Sequence, residues 1–416
     1  MEENTVPLYK ADVVAARILV MCLFMPPQLQ VLAAIGTSVF FVFRSFRSGL
    51  RPSGPDLKWA ALLGGSYLFY VVALFFTPER NSAYAHMLCE QKSAYLLLPF
   101  VFAIMGQQFR LVIVNELRFF VYGCIITCFL ANVDYLYNHI MIGGPGRELS
   151  HVAYRNIFEN FTGIHPTYMA MYLCFALYIT IFRFFTRSRR DVFAKYAMVY
   201  TLLVFMLALF AKSPIIALVI AATHFLISDL RMIARLKWVF LSLVGVVAGA
   251  YAFIPFFRQR VLELSGLFSK KDADDLIQNS VNMRKLLFHT DKTMLQHYWL
   301  TGTGPGSMLD KLHYRYFFHS VYRGYWVGYF DPHNQYFYDW LSFGLAGILA
   351  MVVVLFMQFR RAVVSRNIIY LYLLITISVT FFTESLLARQ QGVLFYSIFT
   401  SLMFFAAAPG VARTDS

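Results

Sequence analysis

The chain has 416 residues, of which 59% are hydrophobic and only 14% are charged, and its mean hydropathy is +0.59. A water-soluble domain of this composition could not cover its apolar surface, whereas a bilayer makes an apolar surface stable. The composition therefore excludes an ordinary soluble protein and predicts an integral membrane protein. The formal net charge of +14 does not indicate a nucleic-acid partner, because lysine and arginine collect at the cytoplasmic helix ends of multispanning proteins.

The five cysteines predict neither a disulfide framework nor a metal site. Their number is odd, they lie in or beside apolar runs, and the longest polar segment contains none. Disulfide scaffolds and Cys-based zinc sites need paired or clustered thiols. His289 and His297 lack a useful zinc spacing as well. We therefore expect no metal and no other cofactor.

Apolar runs in chain order predict about twelve membrane-spanning helices, since a span needs roughly 20 mostly apolar residues. Pro26 and Pro27 break the chain between the first two runs and start the second helix. With no internal repeat and no low-complexity linker, residues 1–416 are predicted to form one all-α membrane domain. The runs are centred near residues 18, 36, 66, 99, 125, 175, 202, 221, 246, 346, 374 and 399.

The basic residues between these runs predict which side of the membrane each loop faces. Lysine and arginine concentrate in short cytoplasmic loops, and alternate loops carry them when the N-terminus is inside. This topology places residues 257–333, between the ninth and tenth predicted spans, in one large loop on the outer face. The basic positions of the inner loops lie within 44–58, at 110, and within 183–195, 231–237 and 360–366.

Ionisable residues that this topology does not explain collect on the outer side of the membrane. A charged side chain near the membrane interior costs about 2.5–3.5 kcal/mol on insertion scales, so such residues indicate a possible site. These residues are Glu90, Lys92, Arg147, Arg155, His165, Lys212, Arg258, Arg260, Arg284, His333, Glu384 and Arg389.

Two of these residues are open to two interpretations each. Lys212 lies between two apolar helices with almost no loop, so it either extends its ammonium to the membrane surface or binds an anionic substrate. His333, in the sequence Asp331-Pro332-His333-Asn334-Gln335, directly precedes the tenth predicted span. An imidazole at that boundary either has no chemical role or serves as a titrating base.

Two motifs favour ordinary structural interpretations. Gly302-Thr303-Gly304-Pro305-Gly306 has the look of a phosphate-binding loop, but it lacks the Walker lysine, the GxGxxG spacing and a surrounding strand–helix unit. A tight turn is the better interpretation. The acidic run 272–275 follows two lysines in a polar stretch, and solvated charge is the expectation there.

Several stretches together resemble the O-antigen ligase and polymerase superfamily. The Gly-rich turn at 302–306 precedes Pro332-His333-Asn334-Gln335-Tyr336, and the following helix contains Gly344-Leu345-Ala346-Gly347. Residues 164–168 and 383–392 are similar to the Bacteroidetes-type branch of that superfamily. The resemblance covers about residues 90–405.

The resemblance implies a GT-C-type glycosyltransferase fold of twelve helices, with one long periplasmic loop between the ninth and tenth helices. It also implies the transfer of a glycan from an undecaprenyl diphosphate carrier, without a metal or a nucleotide. The protein would be a multi-pass protein of the bacterial inner membrane, and its active site would face the periplasm. Membrane lipids and the glycan donor are the expected partners, together with a glycan acceptor.

The resemblance also assigns roles to individual residues. His333 matches the family's loop histidine and is the expected catalytic base. Arg284 and Lys212 match basic residues that bind the diphosphate, and Glu384 matches an acidic residue in the last outer turn. Lysine at 212 replaces the usual arginine and cannot make bidentate contacts with phosphate. The remaining residues that we expect to bind substrate are Arg155, His165, Arg258 and Arg389.

Three functions are compatible with these expectations. An O-antigen ligase transfers the glycan to lipid A–core oligosaccharide, whereas a polymerase joins lipid-linked repeat units. The compact loop and the Glu384–Arg389 pattern favour the ligase. A transporter or flippase would place ionisable residues near the membrane midplane, whereas those of this chain are predicted at the outer helix ends.

Overall fold

The structure is a computed structural model that describes residues 8–76, 81–138, 151–184, 188–228, 280–323 and 330–406, with isolated positions between them. Throughout these ranges the regular structure is helical. Two short 3-10 helices, Cys22–Phe24 and Leu386–Ala388, accompany the α-helices. The ninth predicted span, near residue 246, and the acidic run 272–275 lie largely or wholly outside the described residues.

The α-helices are numbered here in chain order. The first nine are α1 (Lys10–Met21), α2 (Pro27–Arg47), α3 (Gly54–Gly64), α4 (Tyr67–Leu74), α5 (Ser82–Lys92), α6 (Ala94–Ile104), α7 (Gln107–Asn115), α8 (Leu117–Leu136) and α9 (His151–Thr162). The others are α10 (Pro166–Arg183), α11 (Arg189–Leu209), α12 (Lys212–Ser228), α13 (Ser280–Tyr298), α14 (Pro305–Arg323), α15 (Gln335–Val364), α16 (Ile368–Phe381) and α17 (Gln390–Ala406).

Five helical segments in the described ranges are long and apolar enough to cross a membrane, and the number rises to seven when each of two bent helix pairs counts as one span. The bent pairs are α3 with α4, at 55°, and α9 with α10, at 74°. The shorter helices α12 and α16 are also apolar. The prediction of an all-helical, multispanning membrane protein is confirmed. Twelve spans and the GT-C fold are still predictions.

Two helices, α10 and α17, form the centre of the bundle. Nearly all of α10 is buried, and so is α17 from Gln391 to Phe405. A helix that is apolar on all sides belongs inside a bundle rather than at its surface. Aromatic rings join α10 and α17, with centroids 4.7 Å apart for Tyr172 and Phe395 and 4.8 Å apart for Phe175 and Phe399.

Helix α15 is broken at Gly344, whose φ of 65° and ψ of −153° are not helical. Only glycine adopts such a conformation at little steric cost. The break interrupts the backbone hydrogen-bond ladder near the membrane, where unpaired N–H and C=O groups are costly. It divides α15 into a short first part, which follows His333, and a longer apolar second part.

The Gly-rich turn at 302–306 bonds to the backbone groups that this break leaves free. We expected a tight turn here, and the turn packs directly on the helix break with Gly302 at a φ of 70°. A side chain at Gly302 would collide with the backbone at Gly344. The bonds are donated by Thr303 N to Leu341 O (2.7 Å), by Gly304 N to Ser342 O (3.0 Å) and by Leu345 N to Leu300 O (3.1 Å).

We predict that Gly344→Ala lowers the thermal unfolding midpoint of the purified protein. The backbone would be strained by about 1–3 kcal/mol, and the added methyl group would collide with the carbonyl of Leu300. Gly36→Ala is the matched control, because Gly36 lies within α2 with nothing within 4 Å of an added Cβ. Unfolding of both variants is followed by intrinsic fluorescence. Equal unfolding midpoints for Gly344→Ala and Gly36→Ala would contradict this account of the turn.

Candidate functional site

The buried carboxylate of Glu384 contacts two residues from distant parts of the sequence. Glu384 lies in the turn after α16 and is only 7% exposed. Its Oε1 accepts a hydrogen bond from Arg284 Nη2 of α13 at 3.0 Å, and its Oε2 lies 3.2 Å from His333 Nδ1. The structure therefore brings together His333, Arg284 and Glu384, which the sequence separates by up to 100 positions. We call these three residues the Glu384 triad.

The backbone of His333 is held in an unusual conformation by Asp331. His333 has a positive φ of 45°, which few residues other than glycine adopt. Its amide donates to Asp331 Oδ1 at 2.7 Å, and the same oxygen accepts from Ser385 Oγ at 3.0 Å. The carboxylate of Asp331 thus fixes His333 and also joins it to the residue that follows Glu384.

The turn that carries Glu384 is fixed from a second side by Lys92 and Gln335. Lys92 is completely buried, and its Nζ donates to Leu387 O at 2.6 Å. Gln335 Oε1 accepts from Leu387 N at 2.8 Å. Both backbone groups of Leu387 are therefore bonded to side chains, one of which is at the start of α15, two positions after His333.

Asn334 forms a further bridge between the two turns. Its side-chain oxygen caps α15 by accepting from Phe337 N at 3.1 Å, and its Nδ2 donates to Phe382 O at 3.2 Å. One amide side chain thus starts the helix and bonds to the segment before Glu384. Asparagine at an N-cap stabilises a helix by about 1 kcal/mol.

Charge within the triad shifts the pKa values of both titrating groups. Burial would lower the pKa of His333, but its hydrogen bond to Glu384 and the negative charges of Glu384 and Asp331 raise it above the ordinary value. Burial would raise the pKa of Glu384, but the hydrogen bond and charge of His333 and the charge of Arg284 lower it to about 2. Glu384 is consequently ionised, and the imidazole becomes a stronger base.

The charge partners also fix which imidazole nitrogen is available for chemistry. Nδ1 of His333 faces Glu384, so this nitrogen carries the proton when the imidazole is neutral. Nε2 then has its lone pair free, and no hydrogen-bond partner occupies it within the described ranges. The His333 side chain retains 27% exposure, which leaves access to the ring.

His165, Arg155 and Arg389 surround the triad. His165 caps α10 and lies within electrostatic range of Glu384, His333, Arg155 and Arg389. Arg155 Nη2 is 3.4 Å from Thr167 Oγ1, and Arg389 Nη1 is 3.3 Å from Glu159 Oε1. Five of the predicted substrate-binding residues, counting Arg284 and Glu384 with these three, therefore cluster around His333.

The other two predicted residues lie on other parts of the chain. Lys212 is the first residue of α12, next to the left-handed Phe210 that ends α11, so its predicted place between two apolar helices is correct. Arg258 is exposed and donates to the carbonyls of Tyr251 and Ala252 at 3.1 and 2.6 Å. Substrate binding by Lys212 and Arg258 is still a prediction.

Three residues that support the site had no role assigned from sequence. Lys92 was one of many outer charges, and Asp331 and Gln335 were only the neighbours of His333. An available signal was the charge of Lys92 between apolar runs, since a buried ammonium needs a partner. Throughout the described ranges, no three His, Cys, Asp or Glu side chains are grouped to hold a metal ion.

The fold and site define a class before any comparison: a multispanning membrane protein with a histidine–carboxylate–arginine site at its helix ends. A model of the family described as O-antigen ligase matches residues 197–352. This segment of the chain is therefore similar to the O-antigen ligase family, and the resemblance predicted from the motifs is confirmed. The match includes Arg284 and His333, whereas Glu384 lies beyond it. No curated protein matches the chain.

We predict that Glu384→Gln moves the acidic limb of the pH–activity profile to lower pH and lowers the rate on the plateau. A base must be neutral to accept a proton, so activity rises with pH through the pKa of His333. Removing the negative charge of Glu384 takes away a main cause that raises this pKa, so burial and Arg284, which lower it, are opposed by Asp331. Glu90→Gln, at an exposed position, is the control and should leave the limb in place. An unmoved limb in Glu384→Gln would show that His333 is not the titrating base.

Proposed function

We propose that this protein is an O-antigen ligase that transfers a glycan from an undecaprenyl diphosphate carrier to lipid A–core oligosaccharide. The proposed site faces the periplasm from the bacterial inner membrane. The observation that carries the proposal is the Glu384 triad, in which one carboxylate holds an imidazole and a guanidinium. Glycan transfer from a lipid diphosphate needs these two functions, a base for the acceptor and a cation for the leaving group.

In the proposed reaction, His333 Nε2 takes the proton of an acceptor hydroxyl while that oxygen attacks the anomeric carbon. The new glycosidic bond forms as the bond from the anomeric carbon to the diphosphate oxygen breaks, so the configuration inverts. Glu384 accepts the Nδ1 hydrogen bond throughout and stabilises the imidazolium that forms. General base catalysis of this kind contributes typically about 10²–10⁴-fold in rate.

Arg284 is proposed to bind the diphosphate that leaves. A guanidinium has five N–H donors, and one nitrogen of Arg284 bonds to Glu384. The side chain is 38% exposed, so further donors are accessible to a phosphate oxygen. Hydrogen bonds between charged groups are short and strong, which suits a leaving group that gains negative charge. Arg155, Arg389, Lys212 and Arg258 are proposed to add positive charge along the donor.

A polymerase uses the same donor, so the triad supports that reaction equally well and only the acceptor differs. The family match supports ligase and polymerase together. A transporter would use ionisable residues along a path through the membrane, whereas His333 and Glu384 lie in turns between helices and Arg284 lies near the start of α13.

We predict that His333→Gln transfers glycan far more slowly than the unchanged protein while it still binds the lipid-linked donor. Glutamine retains a hydrogen-bonding group but takes up no proton, so it removes transition-state stabilisation more than donor binding. The assay uses purified protein, lipid-linked glycan and lipid A–core. His289→Gln, on the outward face of α13, is the control and should retain activity. Rapid transfer by His333→Gln would mean that the histidine only positions the acceptor.

Lipopolysaccharide from a deletion strain should distinguish the two acceptors. Loss of a ligase leaves long polymer on the lipid carrier and bare lipid A–core, and we expect this pattern on a gel. Loss of a polymerase leaves core capped with a single repeat unit, and that result would replace the ligase assignment. Complementation with the unchanged gene must restore the parental ladder.

A further inference from the structure

Helices α13 and α14, which form a hairpin and are not among the candidate spans, present chemically different outward faces. On α13 most of the exposed side chains are polar, among them His289, Lys292 and Gln296. Phe288 is 54% exposed, and its ring packs on Phe337 with centroids 5.2 Å apart. On α14 the exposed side chains include Tyr314 at 65%, Phe317 at 45% and Phe318 at 52%. A polar outward face is expected of a helix in water, whereas exposed neighbouring aromatic rings require another explanation. Tyr314, Phe317 and Phe318 are called here the aromatic face.

The aromatic face lies opposite the side on which α14 packs. Met308, Leu312 and Tyr316 are buried against the rest of the protein, and their spacing places them along one side of the helix. Tyr314 and Phe318 are four positions apart and pack together on another side, with ring centroids 4.5 Å apart. The aromatic face is therefore a second apolar stripe, separate from the one that packs in the protein.

Two basic residues flank the aromatic face, and the exposed Asp310 lies one turn before Tyr314. Lys311 and Arg315 lie on α14 one turn apart, and Lys311 Nζ is 4.6 Å from the centre of the Tyr298 ring. Aromatic rings beside lysine or arginine are typical of helices that lie in the headgroup region of a bilayer. Phosphate groups of lipids provide the complementary charge there.

The position of the hairpin in the fold is consistent with this environment. The turn between α13 and α14 bonds to α15 at the Gly344 break, where the longer apolar part of α15 begins. Trp299 and Leu300 in that turn are about half exposed. Helix α14 also packs against α4, and Phe75 and Phe76, which follow α4, are more than 80% exposed. Exposed apolar rings therefore follow directly on a helix that packs against α14.

We propose that the aromatic face of α14 lies in the headgroup region of the lipid leaflet next to the Glu384 triad, while the outward face of α13 faces water. The hairpin then rests on the membrane through α14 and carries Arg284 on α13. Moving an aromatic side chain out of water into this region is favourable. The proposal does not depend on which reaction the site performs.

Spin labels on single cysteines test this placement in the full-length protein in phospholipid nanodiscs. The five native cysteines are buried and are replaced by alanine first, with a monodisperse elution profile as the folding check. Labels are attached at Tyr314→Cys and Phe318→Cys on α14, and at His289→Cys and Gln296→Cys on α13 as matched controls. The accessibility of each label is measured with oxygen, which concentrates in lipid, and with a water-soluble nickel chelate.

The ratio of oxygen to nickel accessibility should be high at 314 and 318 and low at 289 and 296. The expected result is thus a higher oxygen-to-nickel ratio on α14 than on α13. Ratios at 314 and 318 as low as those on α13 would place the aromatic face in water and overturn the proposal. Exclusion of both reagents from 314 and 318 would show that protein covers this face, and that result would overturn it as well.

Discussion

The candidate site depends on the burial of the Glu384 carboxylate between the guanidinium of Arg284 and the imidazole of His333. A carboxylate removed from water loses several kcal/mol of solvation, and only partners that bond to it with good geometry offset that loss. Arg284 and His333 are such partners, at 3.0 and 3.2 Å. The two partners come from α13 and from the turn before α15. The site is therefore complete only when the α13–α14 hairpin is packed on the rest of the protein.

The positions of these three side chains are set by bonds between side chains and backbone groups of the adjoining turns. Asp331, Asn334, Gln335 and Lys92 all bond to the segment from Phe382 to Leu387. The Gly344 break acts on the other end of the first part of α15, where the Gly-rich turn bonds to the free backbone groups. The short helix that follows His333 is therefore fixed at both ends, which restricts where the imidazole can lie.

Sequence reasoning identified the members of the site but not the contacts among them. His333, Arg284 and Glu384 were recognisable because each occurs in a motif or in a polar position beside an apolar run. Glu384 bonds to Arg284, which is 100 positions away in the sequence, and to His333, which is 51 positions away. No local sequence pattern encodes such pairings. The Gly-rich turn was predicted correctly as a turn, yet its bonding to a break in α15 depends on packing between distant segments. Lys92 was visible as a charge, but its burial against Leu387 O was not.

The arrangement also couples proton transfer to the charge of the leaving group. With a neutral imidazole, the charges of Arg284 and Glu384 cancel, and the triad carries no net charge. In the proposed reaction His333 gains a proton while the diphosphate gains negative charge, so the triad acquires a net positive charge as the leaving group needs it. Electrostatic stabilisation is strongest when the charges are fixed in place and partly shielded from water. A carboxylate buried as deeply as Glu384 holds both the imidazole and the guanidinium in position, so one acidic residue links the proposed base to the arginine proposed to bind phosphate.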